Sequence, residues 1–208
     1  MKLIIFGSTG SVGHHVVEQA LELGHHVTAF ARHPEALAFE HENLTRISGN
    51  VLDPIATSDA IKGHDAVLVS LGTLKVKNRV RSIGTRNIVA GMQQHGVKRL
   101  ICQTTLGVGD SEGNLNFYWK YIMFGLLLRP FYKDHIIQET IVKNSGLDWT
   151  IVRPGSFTDE PAQGRYKEGF SGSEKQLTLK IPRGDVAGFM VKQVNDDSYI
   201  HQTPGISY

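Results

Sequence analysis

The chain has 208 residues, 40% hydrophobic and 20% charged, which are the values of a folded globular protein and exclude a disordered or fibrous one. Lys and Arg number 22 against 20 for Asp and Glu, and no block of like charge stands out. A nucleic-acid surface is therefore not expected, and small-molecule partners are.

This length suits one substantial core, so a single domain over 1–208 is expected. Cys102 is the sole cysteine; it permits no intrachain disulfide and fits a reducing compartment. The first residues read straight into a strand without the zones of a signal peptide, so a cytoplasmic location is the expectation.

In chain order, Lys2 to Phe6 is a short apolar run ending at a glycine turn, and Ser11 to Leu23 has helical periodicity that stops at Gly24. His26 to Ala31 reads as a second strand closed by Arg32-His33-Pro34, and Leu44 to Ser48 as a third. Asp53-Pro54 offers an N-cap and a first-turn proline for a short helix to about Gly63, followed by a buried strand from Ala66 to Ser70. A helix over Arg81 to Gln94 then precedes the strand Arg99 to Gln103.

Beyond it, a polar loop from Gly107 to Asn116 leads into an apolar stretch, Phe117 to Leu128. That stretch is too short for the roughly 20 apolar residues that span a bilayer, so stable membrane insertion is not expected. A core or lid helix is the first reading, the core helix ahead of a cover over the acceptor, with a membrane-surface or subunit contact as others. Pro130 separates it from a helix ending at Gly146, and Trp149 to Val152 forms the next strand. Pro154 to Lys175 lacks periodicity and reads as a specificity loop, so substrate-side loops are expected at about 104–130 and 154–176. A strand Leu177 to Ile181, a helix Gly184 to Val194 and a short strand near Tyr199 finish the chain. Repeated strand–helix units predict a doubly wound, Rossmann-like parallel α/β sheet with ligands beyond the strands' carboxyl ends.

Gly7, Gly10 and Gly13 stand three apart between the first strand and helix. There the backbone must turn sharply, approach a pyrophosphate and pack helix against strand, while Thr9 and Ser11 offer hydroxyls. This pattern predicts a dinucleotide site. An NAD site usually places an acid at the end of strand two, but Ala29-Phe30-Ala31-Arg32 stands there. Arg32 matches a 2′-phosphate, so NADPH is the expected cofactor. Asn50-Val51 and Leu71-Gly72-Thr73 lie at the strand ends that flank adenine and ribose.

With IIFGSTGSVG at Ile4 to Gly13, VSLGT at Val69 to Thr73, GTRNIVAGM at Gly84 to Met92 and DHIIQETIVKNSGL at Asp134 to Leu147, nearly the whole chain resembles the atypical short-chain dehydrogenase/reductases. This family is NmrA-like and NAD(P)-binding, and the likeness is to its flavin and biliverdin reductases. The resemblance implies NADPH contacts at Gly7, Thr9, Gly10, Val12, Arg32, Asn50, Val51, Gly72 and Thr73, although the family usually has aspartate at the position of Asn50. Ser11, Leu71, Thr104 and Pro154 complete the expected cofactor set. The resemblance further implies that Thr105 and His135 face the nicotinamide and acceptor. Ser156 is expected near the reacting faces too; Arg153-Pro154-Gly155-Ser156 departs from a family histidine, which implies a different acceptor pocket.

His135 and Glu139 are one helical turn apart, but two residues make no metal site, and none is expected. Carbonyl reductases of the wider class use Tyr-x-x-x-Lys, in which lysine lowers the tyrosine pKa. Tyr118, Tyr121, Tyr132 and Tyr166 are followed four residues on by Ile122, Gly125, Ile136 and Phe170. The expectation is hydride transfer from NADPH to a planar conjugated acceptor, FMN, riboflavin or biliverdin, by a monomer or weak homodimer. The alternative is a non-enzymatic NADP(H)-binding regulator or assembly factor.

Overall fold

Alternate residues of a strand face opposite ways. In β1 (Lys2–Phe6) Leu3 and Ile5 enter one core while Ile4 and Phe6 enter another, all four fully buried. An uninterrupted apolar run is what a strand covered on both faces requires. The computed structural model describes residues 1–73 and 79–208.

β1 pairs in parallel with β2 (His26–Ala31) and β4 (Ala66–Val69). β3 (Leu44–Ser48) extends one side, and β5 (Arg99–Gln103) and β6 (Asp148–Pro154) the other. β10 (Gly205–Ser207) adds in parallel to β6, and β8 (Lys167–Glu168) closes the edge antiparallel. The order β3-β2-β1-β4-β5-β6-β10-β8 reverses beside β1, the switch point where such sheets bind ligands.

The first core lies under α1 (Gly13–Glu22) and α5 (Arg183–Lys192). The second lies under α2 (Pro54–Ile61), α3 (Val80–His95) and α4 (Arg129–Lys143). Asp53 caps α2 by accepting from the amides of Ile55 and Ala56, at 2.9 and 3.2 Å, as its place before Pro54 predicts. This is the doubly wound architecture expected from the sequence.

Three expectations are corrected in the second half. The segment Phe117 to Leu128 is no core helix: Tyr118–Leu127 coils in wide turns, closed by the Leu128 amide on the Met123 carbonyl at 2.6 Å, and none of its residues is buried. Phe117 and Leu126 are 72% and 71% exposed, and only Trp119 and Phe124 pack inward against Leu106, Leu115 and Leu179. The strand expected at Leu177 to Ile181 is β9 (Lys180–Pro182), which pairs with β7 (Ser156–Thr158) apart from the main sheet. Leu179 just before it has φ 59°, which breaks extended backbone there. Near Tyr199 a single 3₁₀ turn, Asp197–Tyr199, replaces a strand because Asp196 accepts from the Ser198 amide at 2.9 Å. The pairing strand comes later, as β10.

Candidate active site

The glycine turn is shaped by backbone contacts. Gly7 has φ +82°, and a Cβ there would lie 2.3 Å from the Ser70 carbonyl oxygen at the end of β4. A Cβ on Gly13 would lie 2.0 Å from the Gly7 oxygen, so α1 reaches β1 only because that atom is missing. The Gly10 amide closes the turn on the Gly7 carbonyl at 2.9 Å. No side chain caps α1, and Thr9 and Ser11 are exposed beside its first turn. An uncapped helix start with its amides outward fits a pyrophosphate. Val12 is buried in the core, which leaves its backbone as the part that faces the turn.

At the end of β2 Arg32 is exposed, and the Ser48 hydroxyl donates to its carbonyl at 3.2 Å. Asn50 is exposed and accepts from the Leu52 amide at 3.1 Å. The Val51 carbonyl accepts from the Asn87 amide group at 2.9 Å. Val51 and Leu71 meet α3 at Gly84, where a Cβ would lie 2.9 Å from each side chain. Gly72 stands in open space with Thr73 after it. The structure thus gathers the residues expected around the cofactor along the strand ends.

On the side expected to face the acceptor, the Thr104 amide donates to the Val152 carbonyl at 2.8 Å and the Leu106 amide to the Pro154 carbonyl at 2.9 Å. Thr105, partly exposed, lies between these two bonds, and its hydroxyl donates to the Leu106 carbonyl at 3.3 Å. Ser156 opens β7, where its amide donates to the Leu179 carbonyl at 2.7 Å. Thr104 is buried, and its hydroxyl donates to Glu139 at 2.9 Å.

Glu139 in turn receives Arg153 Nε and Nη2 at 2.9 and 2.7 Å and Lys143 at 3.1 Å, while Arg153 Nη1 reaches Asp110 at 2.5 Å. Burial pushes the Glu139 carboxyl up, but the Arg153 and Lys143 charges outweigh it and hold it below the usual range. Hydrogen bonding to Arg153 lowers Asp110 as well. This network ties α4, β6 and the loop after β5 together. Sequence reading saw Glu139 only as a neighbour of His135. The missed signal was Arg153 inside the apolar run of β6, a position that demands a buried carboxylate.

His135 is partly buried on α4, with Nδ1 3.1 Å from Gln138 Oε1. The Gln138 amide nitrogen donates to Thr85 and Cys102, at 3.1 and 3.3 Å, so its oxygen is the end that accepts. This network assigns the proton of His135 to Nδ1 and leaves Nε2 with a lone pair. Burial, aided by the nearby Arg81 charge, pushes the imidazole down to about 3, and it is neutral at physiological pH. Beside it, Asp134 accepts from the Arg81 and Ser82 amides at 3.2 Å each and from the Ser82 hydroxyl, capping α3 from α4.

Tyr132 donates to the Gly107 carbonyl at 2.9 Å and stacks on Phe124 at 5.0 Å. Burial, with Glu112 and Glu139, pushes its hydroxyl up, the opposite of what a proton-donating tyrosine needs.

One cluster escaped the sequence reading: His14, His15 and Glu18, readable as His-His-x-x-Glu, each bring a ligand atom within 4.8 Å of the others. The uncapped start of α1 and the Arg183 charge acting on His15 both work against a cation there.

Fold and strand-end geometry together define a Rossmann-like dinucleotide-binding protein. The NAD(P)H-binding family model matches residues 7–197, and the chain belongs to that family. The photosystem II assembly factor Ycf39 of Synechocystis is 25% identical over 215 residues, covering 98% of this chain and 61% of that protein, so the chain spans less than two thirds of it. The fold is shared with the oxidoreductase ylbE of Lactococcus lactis, with a TM-score of 0.85 and 23% identity over 100% of this chain and 90% of that one. It is shared too with ChuY, an anaerobillin reductase of Escherichia coli O157:H7, with a TM-score of 0.81 and 23% identity over 100% and 97%. No helix among the described residues is long and apolar enough to cross a membrane.

Proposed function

We propose that the protein is an NADPH-dependent reductase that delivers hydride to a planar conjugated acceptor, a flavin such as FMN or riboflavin, or biliverdin. The observation that carries this reading is the state of the groups on the acceptor side. Tyr132 is held by the Gly107 carbonyl and pushed toward a higher pKa, His135 is neutral with its proton committed to Gln138, and Glu139 is paired with Arg153. A ketone needs a proton delivered to its developing alkoxide. A conjugated ring system disperses that charge and takes its proton from solvent.

When bound, the nicotinamide supplies the hydride. The chain's part is placement: the open start of α1 holds the pyrophosphate, Arg32 selects the 2′-phosphate, and Thr105, Pro154 and Ser156 border the reacting faces. His135 Nε2 accepts a hydrogen bond there. The anaerobillin reductase named among the structures of like fold is consistent with this reading.

A second reading, a non-enzymatic NADP(H)-binding regulator or assembly factor, is favoured by the likeness to Ycf39 and by the exposed apolar helix Tyr118–Leu127. NADPH absorbance followed with FMN, riboflavin and biliverdin, with NADH as control, separates the two. Enzyme-dependent oxidation with any of these acceptors supports the reductase; tight NADPH binding without turnover supports the regulator.

A further inference from the structure

Arg81 is the second residue of α3, at the end of that helix nearest the strand crest. Its Nε and Nη1 atoms are buried and have no hydrogen-bond partner among the described residues. The guanidinium lies 5.6 Å from the centre of the Phe131 ring on α4 and close enough to His135 to help suppress its protonation. The neighbouring carboxylate, Asp134, is already engaged by the Arg81 and Ser82 amides and the Ser82 hydroxyl.

Burial works against the charge of this guanidinium and the Asp134 charge supports it only in part, and an arginine that has lost water without gaining hydrogen-bond acceptors is costly. A planar fork with unsatisfied donors beside an aromatic face suits a carboxylate or phosphate carried on a conjugated ring system. We propose that Arg81 is the anion-binding residue of the acceptor site, taking the carboxylate or phosphate substituent of a planar acceptor. This deepens the reductase reading and rests on it for the ring system.

Two matched pairs of acceptors test it: FMN against riboflavin, which differ by a phosphate, and biliverdin against its dimethyl ester, which differ by carboxylates. Dissociation constants are measured on the full chain saturated with NADP⁺, so that no turnover is required, for the native protein and for Arg81→Met and Arg81→Lys. The expected result is tighter binding of the anionic member of at least one pair. Arg81→Met reduces that preference by about tenfold or more, the worth of a charged hydrogen bond, and Arg81→Lys restores part of it. The pair that responds identifies phosphate or carboxylate as the group held.

Equal binding within both pairs, an equal loss for charged and uncharged members in Arg81→Met, or no binding of any of the four overturns the assignment. Thermal unfolding is the control for folding: removal of a buried guanidinium with unsatisfied donors changes Tm little, whereas a structural role lowers Tm without changing the preference. Selective binding with no NADPH oxidation would keep the anion site and reject the reductase.

Discussion

The half of the strand crest proposed to hold the cofactor and the half proposed to face the acceptor are built by different means. From Gly7 to Gly13 the shape comes from side-chain atoms that are absent, with Cβ positions that would fall 2.3 and 2.0 Å from carbonyl oxygens. From Thr104 to Ser156 it comes from charged side chains that are present, with Arg153 fully buried against Glu139. A backbone-built site presents amides to whatever phosphate arrives. A site built by a buried ion network holds its walls in place through side chains that pair with one another.

The largest effect should come from breaking the network. Arg153→Met leaves buried Glu139 with only Lys143 and Asp110 without its ion pair, and should cost about 3 kcal/mol, a fall of roughly 10 °C in Tm for a chain of this size. Adding Glu139→Leu should recover part of that loss, because two apolar residues are better tolerated than one buried unpaired charge. If the double variant melts lower than the single one, the network is not what stiffens this half.

Gly13→Ala attacks the other half. The added methyl meets a backbone carbonyl that cannot swing away, so a cost of about 1–3 kcal/mol is expected together with loss of NADPH binding by fluorescence titration. Unchanged affinity would show that the turn does not need the close contact of α1 with β1.

Arg32→Ala should be milder and selective. NADPH affinity should drop by about tenfold, the worth of a charged hydrogen bond, relative to NADH. An equal drop for both cofactors would remove Arg32 from the 2′-phosphate.

The smallest expected effect is a flat line. Burial and the Arg81 charge depress the His135 imidazole to about 3, well below the usual histidine range, so its neutral form is the one the fold favours. Its contribution to stability is complete above about pH 6.5 and erodes as pH falls toward 3. A kcat/KM profile for NADPH oxidation should therefore show no ionisation near 6.5 that His135→Gln removes. Loss of such an inflection in the variant would make His135 an acid after all.

The glycine turn was legible in the sequence because its signals are local: three glycines, a strand before them and a helix after them. The sheet order followed from the strand–helix alternation. The acceptor half was not, because Thr104, Asp110, Glu139 and Arg153 lie on four separate segments and no periodicity links them. Strands of two or three residues such as β7, β8 and β9 are too short to show alternation. The segment Phe117 to Leu128 misled because apolar composition usually means burial, yet this helix stands largely exposed with two aromatic rings turned in.

The carboxylate of Asp134 joins the halves. It belongs to α4, the helix of His135, but it closes the first turn of α3, whose Gly84 rests on Val51 and Leu71. An acceptor that shifts α4 therefore also shifts the flank against which adenine and ribose are expected. Coupling between two sites is reciprocal in free energy: in the proposed reductase, any factor by which bound cofactor changes acceptor affinity is the factor by which the acceptor changes affinity for the cofactor. In the proposed reductase, cooperativity of this kind would keep NADPH in place while an acceptor is bound and let NADP⁺ leave more readily once the reduced product has gone.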